Sequence, residues 1–190
     1  MKKLARLLPV VLVSSFCLAG CTMKTTKEKF TDKAIDAPVH SFKKASAAVD
    51  YKITSNGTTQ SAKGTVHYTY DSSSSSYNKW YITEEDSKNS DLYVAYSISE
   101  DFVGMHVLDF VEAIDYAVDS DDYSKTSVSY YTGMLIGPAY KITMNSRNME
   151  TDTISKSTLQ FEKHGLISSL NVKYSGSQSG YMKISFKYSR

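Results

Sequence analysis

The chain predicts an α+β, mainly β fold: a single curved antiparallel sheet, open or half-barrel, of about nine strands wrapping one or two helices. The first ground is composition, in which 15 Tyr and 7 Phe accompany abundant Ser and Thr but only 3 Pro, a balance suited to pleated, half-buried surfaces. The second is a succession of short segments in which apolar and polar residues alternate, separated by turn residues. The third is one long amphipathic stretch, residues 100–120, inserted between two groups of such segments, over which a meander of strands can curl.

In chain order, Lys2, Lys3 and Arg6 form a basic start, Leu7–Phe16 is an apolar run broken by Pro9 and Ser14–Ser15, and Ala19 and Gly20 are small. This is the layout of an export signal. The run falls short of the roughly 20 apolar residues that a retained transmembrane helix needs, so cleavage is the better reading. Both cysteines, Cys17 and Cys21, lie here. Residues 22–33, TMKTTKEKFTDK, are polar, charged and without a periodic apolar face, which predicts a flexible tether over 21–33.

The domain is then expected over 34–190. Val39, Phe42, Ala45, Ala48 and Val49 recur at three- and four-residue spacings, predicting a first helix over 34–50 with Pro38 near its start. Strands are predicted at 51–56, 64–70, 79–83 and 92–99, with Asn56-Gly57, the serine run 72–76 and EEDSKNSD (84–91) as turns. In the amphipathic stretch 100–120, Ser99 is a possible N-cap and Glu100 and Asp101 occupy the first turn, where carboxylates meet the positive end of the helix dipole. Val103, Val107, Phe110, Val111, Ile114 and Val118 form its apolar stripe. Strands resume at 123–132, 139–146, 152–163, 166–175 and 180–189, joined at the end by turns at 163–165 and 176–180. Leu92, Val94, Tyr96 and Ile98 share one face, as do Leu170, Val172 and Tyr174, and Ile184, Phe186 and Tyr188. Such alternation means a strand covered on one side only.

Leu18-Ala19-Gly20-Cys21 resembles the lipobox of bacterial lipoproteins. The resemblance implies diacylglyceryl transfer to the Cys21 sulfur and cleavage before it, for which a nucleophilic thiol is suited. Residues 1–20 are then a signal peptide, Cys21 is the lipidation site, and the partner reached through it is a membrane. The alternative is an ordinary secretory signal in which Cys21 is incidental. Under either reading the mature chain keeps at most one cysteine, so neither cysteine serves an internal disulfide. A diacylated cysteine supplies the two chains that stable anchoring takes. The Lys, Asn, Ser and Tyr bias resembles that of a low-GC Gram-positive bacterium, which implies a place on the outer face of the cell membrane.

Charge narrows the partners. Of 22 basic residues three lie in the signal, leaving 19 against 20 acidic ones; a near-neutral domain argues against a nucleic-acid partner. His40, His67, His106 and His164 show no HxxxH, CxxC or HExxH spacing. Asp119, Asp121 and Asp122 lack the glycine turn and distal carboxylate of a calcium loop. There is no P-loop, GxGxxG or GxSxG. No metal, cofactor or catalytic residue is expected, and Lys79-Trp80-Tyr81 reads either as an aromatic platform for a sugar or protein or as half core.

The closing segment FEKHGLISSLNVKYSGSQSGYMKISFKYS resembles the last strands of the LolA-like and LppX-like half-barrel lipid carriers. The resemblance implies a curved sheet wrapping helices around an apolar cavity, and it carries over no residue. The residues expected to line such a cavity are Tyr96, Phe102, Met105, Leu108 and Phe110, each of which reads equally as packed core. Two functions follow: a membrane-tethered, non-catalytic lipoprotein binding a lipid or other apolar ligand, or a surface lipoprotein with a packed core that contacts a protein or the cell wall.

Overall fold

A computed structural model describes residues 22–38, 41–76, 79–118, 126–133, 138–148 and 150–190. The signal segment and Cys21 lie outside the described residues, and so do His40 and the Asp119–Asp122 stretch. Among the described residues the architecture is mainly β: one open antiparallel sheet of nine strands with four helices. In chain order the elements are β1 (Thr22–Thr25), α1 (Lys27–Ile35), β2 (Lys44–Ser55), β3 (Thr58–Tyr70), β4 (Trp80–Ile82), α2 (Glu84–Ser87), α3 (Tyr93–Ser99), α4 (Val107–Val118), β5 (Ser127–Gly133), β6 (Tyr140–Asn148), β7 (Thr153–Phe161), β8 (Ile167–Gly176) and β9 (Gln178–Ser189). The strand order is β1-β5-β6-β7-β8-β9-β2-β3-β4, so β2–β4 and β5–β9 form the two halves, β9 joins β2, and β1 lies at the far edge beside β5.

The segment 34–50 corrects the helical expectation. Residues 44–50 begin β2, which pairs along its full length with β3 on one side and β9 on the other. Ala45, Ala47 and Val49 are buried on one face. Alanine favours helices, but here it answers a volume constraint. Ala45 lies between Tyr68 and Tyr188, and Ala47 between Val66 and Phe186, so small residues fit between large ones in a close-packed layer. Asn56 and Gly57, with φ of 50° and 76°, make the two-residue turn that matches strand twist.

Residues 92–99 are likewise helix rather than strand, preceded by a 3-10 turn at Ser90–Leu92. Asn89 caps that turn by accepting the Asp91 N–H at 3.0 Å. The buried residues are Ala95 and Ser99, four apart as a helix requires, while Val94, on the face expected to be covered, is exposed. Gly64 of β3 opens the space for this helix: a Cβ there would stand 2.8 Å from Leu92 Cδ2.

The long helix starts later than its apolar stripe suggests. Gly104 has φ +75°, which ends the turns after α3, and α4 begins at Val107. The Asp109 carboxylate accepts the His106 N–H at 3.2 Å, and Val103, Val107, Val111 and Ile114 are buried against the sheet.

The predicted tether is a further correction, since residues 22–33 form β1 and most of α1. β1 pairs with β5 from Thr22↔Gly133 to Thr25↔Tyr130. Thr26 caps α1, and Phe30 and Ala34 are fully covered. One aromatic four residues ahead of an alanine is a single helical stripe, too sparse to register as periodicity in a charged segment.

Candidate ligand-binding cleft

The sheet presents a row structure on the face that carries the helices. In register, Ile142, Leu159, Leu170 and Ile184 stand side by side across β6, β7, β8 and β9. Two residues further along each strand pair, the row is Met144, Ser157, Val172 and Met182, and two further again it is Ser146, Ser155, Tyr174 and Gly180. Because side chains alternate across a strand, all three rows point to the same side.

Phe102, in the turns before α4, and Phe110, on α4, face these rows. Together with Thr126 they close a cleft of about 310 Å³ over Met144, Ser146, Ser155, Ser157, Leu159, Leu170, Val172, Tyr174 and Met182. The Phe110 ring meets Phe161 edge-on at 6.1 Å, which fixes it at the inner end. The hydroxyls of Ser146 and Ser155 bond each other at 2.7 Å. None of the described lining side chains is charged.

The cleft is held in shape by a clamp at the base of α4. The segment before the helix pairs with the start of β8: Val107 N–H donates to Gly165 O at 2.8 Å, and Ile167 N–H to Met105 O at 3.1 Å. His164, buried in the β7–β8 turn, accepts the Leu166 N–H on Nδ1 at 3.4 Å. Its Nε2 therefore donates to the Glu162 carboxylate at 2.5 Å. Phe42 and Tyr188 stack around the imidazole at 4.7 and 6.2 Å. Tyr188 accepts the Gly104 N–H at 3.1 Å, and burial drives its phenol well above the ordinary range. Burial likewise lowers the His106 imidazole, with His164 nearby adding to the effect and Asp109 opposing it.

Of the five residues singled out for a cavity, Phe102 and Phe110 line this cleft. Met105 lies instead on a second cleft of about 520 Å³, beside Tyr70, Lys79, Trp80, Asp101, Gly104 and Asp109. Tyr96 packs against Tyr68 at 6.3 Å and borders a small hollow near Ile82 and Asp86. Leu108 packs against the core. The strand residues that make up the rest of the wall were legible as a one-sided alternating pattern, Leu170, Val172 and Tyr174 among them. Their meeting with the residues of β6 and β7 depends on register, which periodicity alone does not give.

Among the described residues no group of three or more His, Cys, Asp or Glu is placed to hold a metal ion. His67 is engaged with Asp86, whose carboxylate accepts the His67 backbone N–H at 2.5 Å and contacts Nδ1 at 2.9 Å. Trp80, in the second cleft, meets Tyr70 at 5.1 Å and Tyr188 at 5.8 Å. Among the described residues no helix is long and apolar enough to cross a membrane. No protein-family model and no curated protein matches the chain.

Proposed function

We propose that the protein is a membrane-anchored extracytoplasmic lipoprotein whose domain binds a lipid or other apolar ligand without catalysis. The observation that carries this reading is the apolar cleft under Phe102 and Phe110. Its volume of about 310 Å³ lies within the range of small-molecule sites, and a largely apolar lining with a few placed polar groups is the composition such sites share. The lipobox-like Leu18-Ala19-Gly20-Cys21 supports attachment at Cys21 on the outer face of the cell membrane, as in Gram-positive bacteria.

Native mass spectrometry of the purified domain, followed by solvent extraction, tests the ligand. A retained apolar molecule is expected, and its loss when Leu170→Trp fills the cleft in a folded variant. A wild-type protein that carries none and takes up no added acyl compound rejects the reading. Anchoring is tested separately. Cys21→Ser is expected to abolish incorporation of an alkyne-labelled fatty acid and to move the protein out of the membrane fraction.

The competing reading, a contact module for a protein or the cell wall, draws on the exposed apolar side chains of Tyr93, Val94 and Tyr81 around α3 and β4. It predicts that Tyr93→Ser with Val94→Ser abolishes cell-wall or partner retention while leaving acyl binding intact.

A further inference from the structure

The cleft is graded. Leu159 and Leu170 give it a wholly aliphatic inner row; the middle row mixes Met144, Val172 and Met182 with Ser157; the outer row holds Ser146, Ser155 and Tyr174. Most of the hydroxyls are themselves withdrawn from water, Ser146 at 6% exposed being more covered than the half-buried Met144 in the row before it. Phe161 and Leu159 are 0% and 1% exposed, Ser157 is 8% exposed and Ser155 half-buried. The cleft thus has a hydroxyl-bearing polar end and an aliphatic floor.

Resting on the apolar-ligand reading above, we infer that this cleft selects a single-chain amphiphile whose head is uncharged and hydrogen-bonding, such as a long-chain alcohol or a monoacylglycerol. Three physical steps lead there. The volume of about 310 Å³ stands at the low end for ligand sites, which suits one acyl chain better than the paired chains of a phospholipid. The tail displaces water from the aliphatic floor, where burial of apolar surface supplies the driving force.

The head then meets hydroxyls. Ser146 and Ser155 share one hydrogen bond at 2.7 Å, and a serine hydroxyl offers one donor and two acceptor positions, so the pair keeps capacity for a ligand hydroxyl or ester carbonyl. Ser157 and Tyr174 stand beside them on the same wall. A carboxylate or ammonium head brought to this place gives up its hydration and finds no counter-charge among the described lining side chains, a desolvation cost that hydroxyl dipoles do not offset. The cleft thus discriminates by head charge rather than by chain.

The test compares four amphiphiles of equal chain length below their micelle concentrations: decanol, monodecanoylglycerol, decanoate and decyltrimethylammonium. Each displaces the neutral probe N-phenylnaphthylamine from the full-length protein at neutral pH. Decanol and monodecanoylglycerol are expected to bind about tenfold or more tightly than either charged compound, as befits a charge left unpaired on burial. Ser155→Val with Ser157→Val should reduce the advantage of monodecanoylglycerol over a plain alkane. Ser155→Lys should raise the affinity for decanoate alone, and it serves independently should the double valine variant fail to fold. Charged and neutral heads binding equally would overturn the selectivity and leave apolar binding standing. No displacement by any of the four from folded protein would overturn both.

Discussion

At the scale of single residues, the glycines that stand where the chain turns toward the site carry the sharpest constraints. Gly104 has φ +75°, and a Cβ there would lie 2.0 Å from Trp80 Nε1. Left-handed backbone costs an L-residue about 1–2 kcal/mol before any collision. Gly104→Ala is therefore expected to lose at least that much in a urea titration. Because Trp80 is the one tryptophan of the chain, its emission should shift as the ring is displaced, which separates the collision from simple backbone strain. Ser99 is a second such point. Its hydroxyl donates to the Ala95 carbonyl at 2.7 Å and meets the Tyr68 hydroxyl, also at 2.7 Å, with both side chains shut off from water. Ser99→Ala leaves the phenol without that partner and should destabilise by about 1–3 kcal/mol, whereas Ser99→Thr, which keeps a hydroxyl, should recover part of the loss.

At the scale of elements, β1 and α1 complete the domain. The Phe30 ring packs against Tyr130 at 5.1 Å and Tyr140 at 5.7 Å, Tyr140 donates its hydroxyl to the Lys33 carbonyl at 2.9 Å, and Lys27 pairs with Asp115 of α4. Phe30→Ala should cost about 3–5 kcal/mol, as truncation of a buried aromatic does, measured as a drop in the thermal midpoint; a true tether would have shown no change. The later strands, β5 to β9, were legible in the sequence because each is rich in aromatic and β-branched residues or alternates over much of its length, and because turn residues separate the last of them. Three segments were not, each for its own reason. The alanines of β2 reflect the bulk of their neighbours, a property of pairing rather than of the segment. Residues 92–99 alternate in hydrophobicity, yet Gly64 makes room for a helix there and Tyr93 and Val94 are left exposed. In α1 one fully buried phenylalanine anchors an otherwise charged helix. The strand number came out as expected through compensating differences, with 92–99 lost to helix and 22–25 gained. The same logic applies to the cleft: Phe102 and Phe110 were visible as an aromatic stripe, but its serine pair exists only when β6 and β7 are in register.

At the scale of the whole molecule, the sheet buries phenols where many cores bury aliphatic side chains, and this sets how the protein responds to alkali. Tyr68 is pushed from its ordinary 10.0 up to about 12 by burial, with the Ser99 hydrogen bond opposing. Burial also raises Tyr130 and Tyr140, and Tyr188 further still. These four lie in β3, β5, β6 and β9, so ionisation is resisted across both halves of the sheet. The sign follows from linkage: where the folded-state value exceeds the unfolded one, the unfolded chain loses its protons first as pH rises. The stability tied to these phenols is complete below pH 10.0 for Tyr68 and is lost as pH climbs toward about 12. Alkaline unfolding should accordingly be cooperative, with the part of the phenolate absorbance that Tyr68→Phe removes and the loss of far-ultraviolet strand signal rising together inside that window. Tyr68→Phe removes one of the coupled protons and should flatten the dependence of stability on pH there. That Tyr68-dependent component appearing well before the strand signal falls would mean that the buried hydroxyl titrates in the folded state and that the sheet does not hold it out of water.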